Sequence, residues 1–278
     1  MIKYDISASI VIYKYSGKEI DEIIKIIDQT NLKILLVLVD NSPKSTKKYK
    51  HIDNVKYIYS NKNYGYGRGQ NIALKFINGK SKLHMFLSSD LKLPKNFFVE
   101  SYSFLQKYNK VDVFVPKILN YDGSLQYSIK FLPDPLDLIL RIVPLNIGKL
   151  FINHKKYEIQ KCFPEDQYMI IPYGSGSVVI FRNDKGPLQY LFDERFFLYM
   201  EDLDWFRKVG KSMISVYNPK IVVKHFHNAA SKKFLKLFLI HLYSAIKYFN
   251  KNGWLIDQQR KKINKKFSVL GNDLDQLI

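Results

Sequence analysis

The sequence predicts an α/β fold: a mainly parallel sheet flanked by helices, followed by a C-terminal helical extension. Three observations carry this. Between Ile6 and Leu119, short β-branched runs alternate with segments whose apolar residues recur at helical spacing. One run, Lys33–Pro43 (KILLVLVDNSP), is almost wholly apolar until turn residues end it, as a strand buried on both faces requires. An apolar share of 46% over 278 residues is enough material for a sizeable core.

The elements follow in order. Ile6–Tyr13 (ISASIVIY) is short and β-branched, a first strand. Gly17–Gln29 places Ile20, Ile23, Ile24 and Ile27 on one helical stripe. Lys33–Pro43 and Asn54–Ser60 are strands, Gly69–Ile77 a helix and Lys82–Asp90 a strand. Pro94–Tyr108 is a helix with proline as its first residue, and Val111–Leu119 a further strand. After Asn120 the pattern loosens into a turn, a strand-like piece and a Pro-broken apolar segment, an excursion from the same domain. Gly174–Arg182 is a strand opened by glycines, a helix starts at about Met200, and a short strand precedes His225. Ser231–Asn252 is a helix with a broad apolar face and a narrower stripe of Lys233, Lys236, Ser244, Lys247 and Lys251. That layout fits an interfacial helix, and equally a helix packed on the domain with a wet lysine edge. The tail is basic, then polar, and reads as frayed. Residues 1–230 thus form the α/β domain and 231–278 an amphipathic helix with a basic tail.

The net charge of +19 favours anionic partners: nucleic acid, nucleotide diphosphates or an anionic membrane leaflet. A single cysteine, Cys162, excludes an internal disulfide and a cysteine-based metal site. The N-terminus lacks a signal-peptide layout, and no stretch reaches the roughly 18 apolar residues of a membrane span. The expected location is cytoplasmic, with peripheral attachment to the inner face of the plasma membrane.

In open α/β sheets ligands sit beyond the carboxyl ends of the strands. Asp40 ends the second strand, where it can accept from a base or ribose, or cap the turn. In Asn61–Asn71 (NKNYGYGRGQN), Gly65, Gly67 and Gly69 permit close backbone approach and Arg68 can meet a phosphate. The spacing and position are wrong for a dinucleotide fingerprint. Asp90 ends another strand as a lone carboxylate, which suits a hard divalent cation completed by substrate phosphates. Tyr199–Lys208 (YMEDLDWFRK) gathers Glu201, Asp202 and Asp204 in one helical turn among aromatics. Capping explains one acid; three, flanked by Phe196, Phe197, Tyr199 and Trp205, suggest a base in a partly apolar pocket with rings that stack on a sugar. His225 and His227 alternate along a strand, so at most one faces a given ligand.

In this order and spacing, VDNS, NYGYGRGQN, LSSD, GSGSVVIFR and FDERFFLYMEDLDWFRK resemble family 2 glycosyltransferases, in the branch of bacterial rhamnosyltransferase-like enzymes of O-antigen and capsule biosynthesis. The similarity runs from about Ile6 to Ser231. It implies a GT-A fold with a Rossmann-like nucleotide-binding half, and inverting transfer of a sugar, from dTDP-rhamnose or a UDP-hexose. The acceptor it implies is a hydroxyl of a growing glycan on a polyprenyl diphosphate. By the resemblance, Tyr15 and Asp40 contact base and ribose, and Asn63, Gly67 and Arg68 line the nucleotide and its diphosphate. Asp90 matches the last acid of the metal element, with Mg2+ or Mn2+ implied, and His225 closes over diphosphate or metal. Asp202 matches the general base and Glu201 supports it or binds acceptor. The sequence departs from the family at Lys14-Tyr15-Ser16, at Ser88, where relatives carry Asp, and at Tyr190-Leu191. A nucleotidyltransferase would need a second metal-binding acid near Asp90, which LSSD lacks. A basic nucleic-acid-binding module fits the charge but not the acid cluster, so no nucleic acid is expected as partner.

Overall fold

The computed structural model describes residues 2–14, 17–142, 158–184, 191–226 and 235–274. The apolar runs of the first half become β1 (Tyr4–Ile12), β2 (Ile34–Asp40), β3 (Val55–Tyr59) and β4 (Ser81–Leu87). The helical stripes between them become α1 (Lys18–Asp28) and α2 (Tyr66–Ile77). β1 pairs in parallel with β2 on one side and β4 on the other, and β3 continues the parallel set beyond β2. Every residue of β2 is buried, so its unbroken apolar run is matched by cover on both faces. α1 buries Ile20, Ile23, Ile24, Ile26 and Ile27 and turns Lys18, Glu22, Lys25 and Asp28 to solvent.

The chain continues through β5 (Leu91–Lys92), α3 (Phe97–Lys107), β6 (Val113–Leu119), β7 (Ile129–Lys130), α4 (Pro135–Ile142), β8 (Tyr168–Ile170), β9 (Tyr173–Gly174) and β10 (Val178–Arg182). It closes with α5 (Glu201–Val209), β11 (Ser215–His225), α6 (Leu235–Asn252), α7 (Gln258–Asn264) and β12 (Ser268–Gly271). The main sheet has the order β12-β8-β11-β6-β10-β4-β1-β2-β3, with β5 beside β11. β10 runs antiparallel between β4 and β6, while β11 is parallel to β6. The result is a mixed sheet with a mostly parallel core. The excursion after Asn120 returns as β7, which pairs with β9 in a small second sheet.

Several boundaries differ from expectation for local reasons. α2 begins at Tyr66 rather than Gly69, because Gly65 turns the chain at φ +81° and starts the helix directly. Pro94 lies in the turn before α3, where its carbonyl accepts from Phe97 N at 3.0 Å. The strand expected over Gly174–Arg182 divides into β9 and β10 around a turn at 175–177.

The tail, expected to fray, builds α7 and the edge strand β12, which pairs with β8. Asp257 caps α7 through Arg260 N and forms a buried bidentate pair with Arg207 of α5, at 2.7 and 2.6 Å. α6 lies the other way round from the expected layout. The C-terminal half of its polar stripe faces the protein: Ser244 donates to Leu198 O, Lys247 to Arg195 O, and Lys251 pairs with Asp193 and Asp204, while Lys236 is exposed and Lys233 lies outside the described residues. Tyr248 and Phe249 are buried on the same side, while Leu235, Leu239, Leu242 and Ile246 face outward.

Candidate active site

The three acids near the start of α5 separate into three environments. Tyr199 and Met200 both hold left-handed backbone, at φ 67° and 66°, immediately before the helix. For non-glycine residues this costs about 1–2 kcal/mol each, and the packing of Met200 in the core sustains it. The turn aims Asp202 toward the link between β9 and β10, where it accepts from Tyr173 OH at 2.9 Å and Gly176 N at 3.0 Å, while Leu203 N donates to it at 2.8 Å. Asp204 is 1% exposed and is held by Lys251 and Lys208, so it anchors α6. Glu201 is 5% exposed and its Oε2 has no hydrogen-bond partner. Burial, then the charge of Asp202, pushes its carboxyl up to about 8. The raised basicity expected of this cluster falls on Glu201, whose proton is retained at neutral pH.

The 175–177 turn links Asp202 to the segment that carries Asp90. Gly176 N holds Asp202, and Ser177 O accepts from Ser88 N at 2.8 Å, at the end of β4. A Cβ on Gly176 would lie 2.7 Å from that of Asp202, so only glycine permits this approach. Tyr66 stands among these groups: its OH donates to Gly176 O at 2.8 Å. Burial and the nearby Glu201, Asp202 and Asp90 hold its phenol well above the usual range.

Asp90 leaves β4 with a partly exposed carboxylate, and its Oδ1 lies 3.2 Å from His225 Nε2 at the end of β11. His225 Nδ1 is 3.1 Å from Gln126 Oε1, which orients the ring. The two side chains offer one oxygen and one nitrogen donor at a strand end, a set that suits a hard cation if phosphate and water complete it. Among the described residues no group of three or more His, Cys, Asp and Glu gathers.

The glycine-rich segment fixes α2 against the loop that precedes α5. A Cβ on Gly65 would fall 1.8 Å from Phe197 O, and one on Gly67 would press on Phe192 and Glu201. Gly67 therefore serves the packing of α2 on α5. Asn63 caps the turn by accepting from Gly65 N at 3.0 Å. Arg68 reaches solvent over the Tyr64 ring, at 4.3 Å, and pairs loosely with Glu194 at 3.3 Å. Asp40 is fully buried; it accepts from Ser42 N, Thr46 N and Tyr57 OH, so the turn-capping alternative describes its geometry. Tyr15 and His227 lie outside the described residues.

The aromatics around the acids are mostly core. Trp205 and Phe196 are 1% exposed, and Trp205 packs among Phe86, Phe181 and Phe192. Phe197 alone of the four is exposed, at 41%, while Tyr199 packs its ring on His241. The expected stacking platform reduces to Phe197. Sequence reasoning missed Tyr173, Gly176 and Tyr66 around Asp202. It also missed Asn41, which donates to Gly65 O, and Asn71, which exchanges hydrogen bonds with Phe192. The pair of glycines in GSGS was the one available signal for Gly176.

The fold is similar to that of TarS residues 1–349 from S. aureus, with TM-score 0.55 and 16% identity, covering 94% of this chain and 70% of that one. It is also similar to the mannosyltransferase PcManGT from Pyrobaculum calidifontis, solved with GDP-Man and Mn2+, with TM-score 0.56 and 14% identity, covering 95% and 69%. Both neighbours are GT-A glycosyltransferases, and the sheet described above has that fold. In sequence, the low-salt glycan biosynthesis hexosyltransferase Agl10 of Haloferax volcanii is 24% identical over 221 residues, 77% of this chain. The chain spans 65% of that relative's length. Residues 7–163 match glycosyl transferase family 2, more than half of the sequence, and the chain belongs to that family.

Proposed function

We propose that the protein is an inverting hexosyltransferase that moves a sugar from a nucleotide-diphosphate donor to a hydroxyl of a growing glycan. The observation that carries this is the 175–177 turn, which holds Asp202 through Gly176 N and, through Ser177 O, the backbone of Ser88 two residues before Asp90. Asp202 takes the proton of the acceptor hydroxyl as its oxygen attacks the anomeric carbon. Attack from the side opposite the leaving diphosphate is a single displacement and inverts that carbon. Arg68 faces the negative charge that develops on the leaving group. Asp90 and His225 would hold a divalent cation, Mg2+ or Mn2+, which when bound neutralises diphosphate charge. Asn63, Gly65 and Asn41 keep the glycine turn in place beneath the donor, and Glu201 stays neutral behind the base. dTDP-rhamnose and UDP-hexoses are the donor candidates; the similarity to Agl10, a hexosyltransferase of glycan biosynthesis, favours a hexose. The test is thermal stabilisation by UDP-glucose, UDP-GlcNAc, GDP-mannose and dTDP-rhamnose, each with and without Mn2+. One donor is expected to raise the melting temperature, more so with the cation. No response to any of the four, with or without Mn2+, would remove the reading.

The acceptor reading is a glycan on a polyprenyl diphosphate, met at the inner face of the plasma membrane. No helix among the described residues is long and apolar enough to cross a membrane. Attachment is instead peripheral, through the outward stripe of α6. Leu235, Leu239, Leu242 and Ile246 are 73%, 54%, 42% and 38% exposed, and Leu255 and Ile256 beyond the helix 85% and 79%. The net charge of +19 complements an anionic bilayer, and α6 packs on the 193–200 loop that leads to Asp202. Flotation with phosphatidylglycerol vesicles, lost in Leu239→Asp, is the expected outcome. Dimerisation through this stripe without flotation would assign it to a second copy instead.

A further inference from the structure

A line of buried polar side chains crosses the sheet beneath the site, and no part of the proposed chemistry uses it. His84 sits mid-strand in β4, fully buried, where an apolar residue would serve packing better. Its Nδ1 lies 2.7 Å from Ser7 Oγ and its Nε2 2.9 Å from Ser9 Oγ, both on β1. Ser9 donates to Gln70 Oε1 of α2, which only accepts. Ser9 must then accept from His84 Nε2–H, and that fixes the tautomer. His84 Nδ1 in turn accepts from Ser7, Ser7 accepts from Ser81 at 2.7 Å, and Ser81 accepts from Asn183 Nδ2 at 2.8 Å. Burial holds His84 down to about 3, so the ring is neutral at working pH, as this chain of donors requires. All the bonds point one way, from Asn183 to Gln70.

Gln70 ends that chain one helical turn after Tyr66, and its buried amide nitrogen has no hydrogen-bond partner. Tyr66 OH then donates to Gly176 O, while Gly176 N holds Asp202 Oδ2. The 175–177 turn has two further backbone anchors, Ser175 N to Ser128 O and Ser177 O from Ser88 N. Tyr66 supplies the side-chain anchor at the residue that grips the base.

Resting on the transferase reading above, we infer that Tyr66 is a positioning residue: its hydroxyl fixes Gly176 and through it the carboxylate of Asp202. Tyr66→Phe removes one oxygen and keeps the ring. A base displaced by a fraction of an ångström loses near-attack geometry without touching the donor. The expected kcat loss is about ten- to hundredfold, with donor KM unchanged. Turnover is read as nucleoside diphosphate released from the four donors named above, with water as acceptor. Amide exchange of the 175–177 turn is measured in parallel on the full chain. Faster exchange there in Tyr66→Phe, with kcat lowered and KM held, is the expected result. Unchanged exchange, or a lower melting temperature with kcat intact, overturns the inference. Should the unsubstituted protein release no diphosphate with water as acceptor, exchange of the turn alone decides whether Tyr66 fixes it, and the transferase reading is decided separately by donor stabilisation.

Discussion

Asp202→Asn is expected to lose transfer by about two to four orders of magnitude while donor binding persists. The substitution preserves shape and removes the ability to take a proton. Asp202 is ringed by donors: Tyr173 OH and Gly176 N on one oxygen, Leu203 N on the other. An amide in that place sets its own N–H against a donor whichever way it is turned. Its best orientation keeps oxygen toward Gly176 and Tyr173, which holds the 175–177 turn. The donor side proposed at Arg68 and the Asp90–His225 pair is left as it was. Diphosphate release and calorimetric titration with the donor that stabilises the protein separate the two effects. Turnover at the unsubstituted rate would take the base away from Asp202, and loss of binding together with turnover would place the residue on the donor side.

The parts of this site that were legible in the sequence are those set by local pattern. β2 was visible because an unbroken apolar run needs cover on both faces, and its carboxyl end followed directly. That Asp90 and Asp202 share one site was suggested only by resemblance, since 111 residues of loops, strands and helix separate them. Local pattern did not say which of the three acids faces the turn, and only resemblance pointed to Asp202, because the outcome depends on left-handed backbone at Tyr199 and Met200, residues with no propensity for it. The same holds for the glycines. Gly67 and Gly69 read as room for a ligand, yet their missing side chains admit Phe192, Glu201 and Val11. β12 was hidden because its partner, β8, lies about a hundred residues away and its own sequence is mixed. α6 was misread by one face: lysines normally mark the wet side, but here Lys247 and Lys251 reach inward to Arg195 O, Asp193 and Asp204.

Stability is expected to fall with rising pH because of Glu201, and Glu201→Gln is expected to abolish that part of the slope. The folded carboxyl titrates at about 8 and the unfolded one near 4.5. Between those values the folded state holds a proton that the unfolded state has released. Folding is therefore coupled to proton uptake, and each pH unit across that window removes roughly 1.4 kcal/mol of stability. Below the window both states are protonated and the contribution is complete; above it both are ionised and the loss levels off. The cause is first the desolvation of Glu201, whose Oε2 has no partner, and then repulsion from Asp202. Glutamine mimics the protonated form at every pH. The melting temperatures of Glu201→Gln and the unsubstituted protein should lie close at pH 5, diverge progressively to pH 8 in favour of the variant, and run parallel at pH 9. In an Asp202→Asn background the repulsion is gone, so the divergence should end at a lower pH. Curves that stay parallel from pH 5 to 9 would mean that Glu201 ionises freely, and with that the neutral group behind the base would be lost from the mechanism.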